Sequence, residues 1–309
     1  MCDFQLTTPI AFIIFNRPDA TERVFAEIAK AKPPKLLVVG DGARISREGE
    51  AAKVAATRAI IDRVDWPCEV VTNFSDLNLG CKIRVSSGLD WVFEQVEEAI
   101  ILEDDCLPSA SFFRFCEEML IKYKFDNRIW HIDGTNFQEG GLNYDYDFSR
   151  YPLIWGWASW RRAWKFYDVE MKSFDEFVAT KKLELIWPSI PVQRFWMKNF
   201  RDVRNGSLDT WDYQWIYSIW SNGGLAIRPN INMIKNIGFS QDATHTTKTN
   251  PLFNSMVAEN ISWPIRHPTF IIHNHIYDEQ CSKIRFNIHS LIFSISLKIL
   301  LKIKCYLKN

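Results

Sequence analysis

The sequence has no surplus of charge of either sign: 37 Lys and Arg stand against 37 Asp and Glu in 309 residues. Clamping a phosphate backbone needs a basic excess, so nucleic acid is not expected as the main partner. No C-x-x-C pair occurs among the seven cysteines (2, 68, 81, 106, 116, 281 and 305), and their number is odd. That excludes a disulfide framework and a cysteine-rich zinc site, and reduced, mostly buried thiols are expected. Met1 to Thr8 has no basic segment leading into a long apolar run, so no signal peptide is expected. Without one, the sequons at Asn73, Asn205 and Asn260 carry no weight. No stretch reads as a clean transmembrane helix. Repeats and low-complexity linkers are missing too. The expectation is one elaborated domain and a tail, in the cytoplasm, with contact at the inner face of the membrane left open.

What is present is aromatic. Hydrophobic residues make up 47% and charged residues 24%, the balance of a folded protein. Within that sit 13 Trp, 22 Phe and 9 Tyr. Such density fills a core. It also suits sugar binding, because an indole offers an apolar face and an N–H donor.

The first half alternates short apolar runs with helical periodicity. Strands are expected at Pro9–Phe15, Lys35–Val39, Glu69–Asn73 and Ala99–Leu102. Helices are expected at Asp19–Lys30, Gly49–Val64, Lys82–Glu97 and Phe112–Lys124, with Val24, Phe25 and Ile28 on one face of the first. This alternation predicts an α/β fold with a mostly parallel sheet covered by helices, and ligands beyond the carboxyl ends of its strands. Arg150 to Trp220 is crowded with aromatics, Leu225 to Ile237 reads as a returning strand pair, and His267 to Ile276 as a strand or an extended arm.

Glu103-Asp104-Asp105 directly follows the apolar run Ile100-Ile101-Leu102. Three adjacent carboxylates require a cationic partner, a hard divalent ion or basic side chains, unless they serve as an acidic helix cap. Lys82 and Arg84 enter a helix after Asn78-Leu79-Gly80, where they suit phosphates or form a solvated face. Trp155, Trp157, Trp160 and Trp164 suit an acceptor wall or a packed core. His245 lies in a polar loop and is a candidate metal ligand or phosphate contact. His273-Asn274-His275 mimics a nuclease signature, but its companion motif is missing.

An ordered series of segments resembles the GT-A class of nucleotide-sugar glycosyltransferases, nearest to bacterial relatives of N-acetylglucosaminyltransferase I and family 2-like enzymes. The series is IIFNRP (13–18), VVGDGAR (38–44), NLGCKIRVSSGLDWVF (78–93), ILEDDCLPS (101–109), LIWGWASWRRAW (153–164), WDYQW (211–215) and NIGFSQDATHT (236–246). The resemblance spans roughly residues 9 to 280. It implies a GT-A, Rossmann-like domain over residues 1–283, with a nucleotide-sugar half (1–125) and an acceptor and catalytic half (126–283). Arg17, Asp41 and Arg44 would bind the nucleotide, Asp104 would lie near the ribose, and Glu103 near the donor sugar. Asp105 would hold Mn²⁺ or Mg²⁺. Asp212 falls at the position of the catalytic base; the adjacent second acid of the pattern is Tyr213 here, and Asp209 is the neighbouring alternative.

The implied activity is inverting transfer of a hexosyl or N-acetylhexosaminyl group from a nucleotide-diphosphate sugar to a glycan or lipid-linked glycan. Rival readings are a non-catalytic carbohydrate-binding protein on the same fold, or a nucleotidyltransferase. The latter would carry a Gly-rich basic loop where Asn16-Arg17-Pro18 stands. Residues 284–309 form a basic amphipathic tail, with Lys298, Lys302, Lys304 and Lys308 and no acid after Asn287. It suits an anionic membrane surface, packing on the core, or a dimer contact.

Overall fold

The structure is a computed structural model that describes residues 4–138, 144–238 and 255–286. Its frame is an eight-stranded sheet in the order β3-β2-β1-β4-β8-β6-β9-β7. The strands are β1 (Ile10–Ile14), β2 (Lys35–Gly40), β3 (Glu69–Phe74), β4 (Glu98–Glu103), β6 (Ile129–Asp133), β7 (Tyr146–Ser149), β8 (Trp157–Trp160) and β9 (Leu225–Pro229). β3, β2, β1 and β4 pair in parallel, as do β6 and β9. β8 is inserted antiparallel between β4 and β6, and β7 closes the far edge antiparallel to β9. The mostly parallel α/β sheet expected from the sequence is therefore present. Strands from both sequence halves share it, joined through the β4–β8 pair.

Alternation along the central strands sorts side chains onto two faces. Ile10, Phe12, Leu36, Val38, Ile100 and Leu102 enter one apolar cluster. Ala11, Ile13, Leu37, Val39, Ala99 and Ile101 enter the other. The first face is covered by α1 (Pro18–Ala31), through the expected stripe Val24, Phe25 and Ile28, and by α4 (Ala110–Lys122); α2 (Glu50–Ala59) flanks α1. The second face is covered by α3 (Gly80–Gln95), α5 (Arg161–Trp164), α6 (Phe174–Ala179), α7 (Lys182–Ile186), α8 (Ile190–Arg204), α9 (Asp212–Ser221) and α10 (His275–Phe286).

Two expectations change. Leu225 to Ile237 is not a strand pair: β9 joins the large sheet, while β10 (Ile234–Asn236) pairs antiparallel with β5 (Cys106–Pro108), just beyond the acidic triplet. His267 to Ile276 is an extended arm with a single bridge from His273 to Phe148, and it runs into α10. Asn274 caps that helix by accepting the Tyr277 N–H at 3.1 Å, and His273 Nε2 lies 2.6 Å from Asp278 Oδ2. The nuclease-like triplet is thus a helix start. Cys68, Cys81, Cys106, Cys116 and Cys281 are free thiols. No helix among the described residues is long and apolar enough to cross a membrane.

A buried ion pair ties the late strands together. Arg228 on β9 donates Nε to Asp133 Oδ2 at 3.3 Å, and its Nη2 donates to the Tyr151 carbonyl. Asp133 Oδ1 accepts the Leu153 N–H at 2.6 Å and lies 3.0 Å from His131 Nε2. Both charges are almost wholly out of water, so losing one strands the other. Arg228→Met should destabilise the fold by about 3–5 kcal/mol. Urea denaturation followed by circular dichroism measures this, and a loss below about 1 kcal/mol would show that Asp133 is satisfied without Arg228.

Candidate active site

β1 is flanked by β2 on one side and β4 on the other, so the winding of the sheet reverses between β1 and β4. A crevice opens beyond the carboxyl ends of the strands at such a reversal. Here β1 runs out into Phe15, Asn16 and Arg17, and β4 into Glu103, Asp104 and Asp105. Arg17 forks across the two aspartates: Nη1 donates to Asp105 Oδ2 at 2.8 Å and Nη2 donates to Asp104 Oδ1. The Phe15 N–H adds a bond to Asp104 Oδ2 at 3.1 Å. Burial opposes charge on Arg17, but Asp104 and Asp105 outweigh it and raise its pKa. One guanidinium does not balance three carboxylates. Burial and then the negative charge of Asp105 and Asp104 push Glu103 well above the ordinary carboxylate range, with Asp212 adding to the shift. Asp104 is also raised, by burial first, against the pull of Arg17.

Asp212 lies close enough for its charge to bear on Glu103. It is the first residue of α9, where backbone N–H groups favour an anion, and its Oδ1 accepts the Thr210 hydroxyl. Trp211 just before it stacks on Trp157 with ring centroids 5.8 Å apart. Trp157 pairs in register with Ile101, two residues before Glu103 and on the same sheet face. The aromatic stack therefore holds the start of α9 over Glu103. Beneath lies Cys81, whose thiol is pushed up by burial and then by Glu103, Asp212, Asp209 and Asp41. Four carboxylates from three chain segments thus bear on this thiol.

Two of them have a different task from the one expected. Asp41 accepts the Leu79 and Gly80 N–H groups at 2.9 and 3.1 Å and the Asn78 amide at 2.9 Å. Gly80, at φ 78°, makes the tight entry into α3. Asp209 accepts the next two, from Cys81 at 3.2 Å and Lys82 at 3.1 Å. Together they cap α3. The structure thus gives Asp41 and Asp209 a capping role beside the nucleotide contact and the alternative base expected of them.

Arg84 is buried and gives its guanidinium to the Gly40 carbonyl at 3.2 Å and the Asn73 carbonyl at 2.6 Å, so it locks β2 to β3. Lys82 keeps a long pairing with Glu170 at 3.7 Å. Arg44 is held by Glu50, with its guanidinium 5.6 Å from the Phe15 ring. The Arg44 bonds hold the Glu50 carboxyl down at about 2. Trp157 is fully buried between His131 and Trp211, so it cannot present a face to an acceptor. Trp155 is half-buried and edge-on to Phe137 at 5.7 Å. His245 and the tail from residue 287 lie outside the described residues.

Gly238 escaped the sequence reading of side chains. A Cβ there would collide with the Asp105 carboxylate and Arg17, so the backbone beyond β10 lies directly on the ion pair. The preceding Ile237 N–H donates to the Asp105 carbonyl at 2.8 Å. A glycine just after a short strand is the local signal of such a close approach. Among the described residues, no three His, Cys, Asp or Glu side chains gather as a metal cluster.

No family model matches the chain, and no curated protein matches it. Solved structures give partial likenesses. Residues 1–349 of TarS from S. aureus align at 10% identity with a TM-score of 0.36, over 53% of this chain and 50% of that one. A UDP-glucose pyrophosphorylase in complex with UDP-glucose aligns at 8% identity and TM-score 0.30, over 52% of this chain and 79% of that one. Mouse xyloside xylosyltransferase 1 in its apo form aligns at 10% identity and TM-score 0.27, over 42% of this chain and 54% of that one. Likeness at this level assigns no chemistry to the present chain.

Proposed function

We propose that this protein is a metal-dependent, inverting glycosyltransferase that moves a hexosyl or N-acetylhexosaminyl group from a nucleotide-diphosphate sugar to a glycan or lipid-linked glycan. The observation that carries this reading is the convergence of Arg17, Glu103, Asp104 and Asp105 at the sheet's reversal point, with Asp212 close enough for its charge to bear on Glu103. Surplus negative charge beside a single arginine fits a hard cation. Mg²⁺-type ions are commonly held by one or two carboxylates and completed by substrate phosphates, so a full protein cage is not needed. Asp105 is the proposed ligand, with His245 as the second. When bound, the ion would stabilise the charge that develops on the departing nucleoside diphosphate.

The remaining roles follow from the chain's own side chains. Arg17 holds Asp104 and Asp105 in one orientation. Glu103, with its pKa raised, is suited to share a hydrogen bond with a hydroxyl of the donor sugar. Thr210 occupies Asp212 Oδ1, leaving Oδ2 to accept the proton of the attacking acceptor hydroxyl. Base and leaving group on opposite sides of the anomeric carbon give one displacement with inversion. A nucleotidyltransferase is disfavoured because only Phe15, Asn16 and Arg17 link β1 to α1, too short a span for a phosphate-cradling loop. A sugar-binding protein without activity would need neither Asp105 nor Asp212. The proposed membrane contact of the tail, and the cytoplasmic face as its site, rest on the lysine pattern after Asn287.

Incubation with a panel of nucleotide sugars and Mn²⁺ should reveal slow donor hydrolysis. Asp105→Ala should abolish it and weaken nucleoside-diphosphate binding in Mn²⁺, whereas full turnover in excess EDTA would sink the metal assignment. Asp212→Asn should leave donor KM nearly unchanged while transfer kcat falls by about 10²-fold. Asp209→Asn should instead lower the melting temperature, because it weakens a cap on α3. If Asp209→Asn shows the kinetic pattern and Asp212→Asn does not, the base assignment is wrong.

A further inference from the structure

α8 carries two stripes. Val192, Trp196, Phe200 and Val203 enter the core. Arg194, Lys198 and Arg201, spaced four and three residues apart, form an exposed cationic row on another face. This row and Lys181 rim a groove of about 470 Å³ between α6, α7 and α8. Its floor is apolar: Phe177, Val178, Leu183 and Met197. Two acids also line it, Glu184 and Asp202, and Lys198 already pairs with Asp202 across one helical turn. Among the described residues, no carboxylate pairs with Lys181, Arg194 or Arg201. Beside the groove, Leu185 on α7 and Ile190 at the start of α8 are 73% and 57% exposed.

α10 is linked to the segment that follows α7. Ser282 Oγ lies 2.6 Å from the Tyr151 hydroxyl. Tyr151 stacks on Trp187 at 4.3 Å, directly after α7, and Arg150 Nη1 donates to the Ile186 carbonyl at 2.7 Å. The sequence after Asn287 carries lysines without an acid.

We propose that this groove docks on an anionic lipid leaflet, with a lipid phosphate on the Arg194–Lys198–Arg201 row and hydrocarbon against the apolar floor. Charge complementarity selects an anion. The floor and the two exposed aliphatic side chains select a lipid over a soluble phosphate, which would use the cations alone. The proposal is independent of the catalytic reading, and its test needs no turnover.

The test is co-sedimentation of the full chain with vesicles of phosphatidylcholine alone or mixed with phosphatidylglycerol. Wild type should pellet with the mixed vesicles only. R194Q/K198Q/R201Q should lower the partition coefficient by about tenfold or more, with an unchanged circular dichroism spectrum. Leu185→Ser with Ile190→Ser should remove the binding that persists at high salt, giving a second readout that leaves the charges in place. Pelleting of the triple variant like wild type, with loss only on truncation after residue 286, would overturn the proposal. Full displacement of wild type from the vesicles by inorganic phosphate at matched ionic strength would also overturn it, by assigning the groove to a soluble anion. Equal binding to phosphatidylcholine alone would remove the charge argument.

Discussion

The fork of Arg17 across Asp104 and Asp105 is the interaction on which the site depends. Parallel pairing of β1 with β4 sends both strands to the same edge of the sheet, and the polar residues that follow must meet there. Three acids meeting in a crevice would repel one another without a cation. Arg17 answers part of that repulsion and ties the two strand ends together, while the charge left over bears on Glu103. The β5–β10 ribbon then closes on the pair, and Gly238 is the side-chain-free position that permits the approach.

A second constraint is aromatic. Trp157, Trp164, Trp211 and Trp215 pack face to face or tilted behind the crevice, with Trp164 to Trp215 at 5.0 Å and Trp157 to Trp215 at 6.0 Å. Rings this large have few rotamers and bury much area, so they set the axis of α9 against the sheet. Asp212 inherits its position from that packing. Tyr167 contributes too: its hydroxyl donates to the Trp211 carbonyl at 3.1 Å. These four buried tryptophans thus serve to place a carboxylate.

Helix capping supplies the third constraint. α3 has no cap from its own preceding residues, and its first N–H groups are satisfied by Asp41 from the end of β2 and Asp209 from 128 residues further on. This joins the turn after β2 and the start of α3 to the segment that precedes Asp212. Movement of either side alone would leave backbone donors unpaired, so the two walls of the crevice are mechanically linked.

Much of the frame was legible locally. The apolar runs of β1, β2 and β4 read as strands because they are buried on both faces, unlike the edge strand β3, and the 3.6-residue stripe of α1 reads as a helix because one side alone meets the core. The acidic triplet was conspicuous for the same reason, three charges directly after an apolar strand. What the chain order hid were the partners. Nothing near Arg84 indicates that it will spend its charge on carbonyls of Gly40 and Asn73, nor near Asp209 that it will cap α3. Trp157 reads equally well as a sugar platform or a core residue until β8 is inserted between β4 and β6. Ile234 to Asn236 reads as the mate of β9 until β5 is seen to offer the other edge. The sequence by itself determined where backbone and hydrophobic preferences act within a few residues: the strands, the main helices and the position of the acids. Only the tertiary structure decided which carboxylates remain free, because a hydrogen-bond acceptor is assigned by whichever donors the fold brings within 3 Å of it, and those come from distant segments.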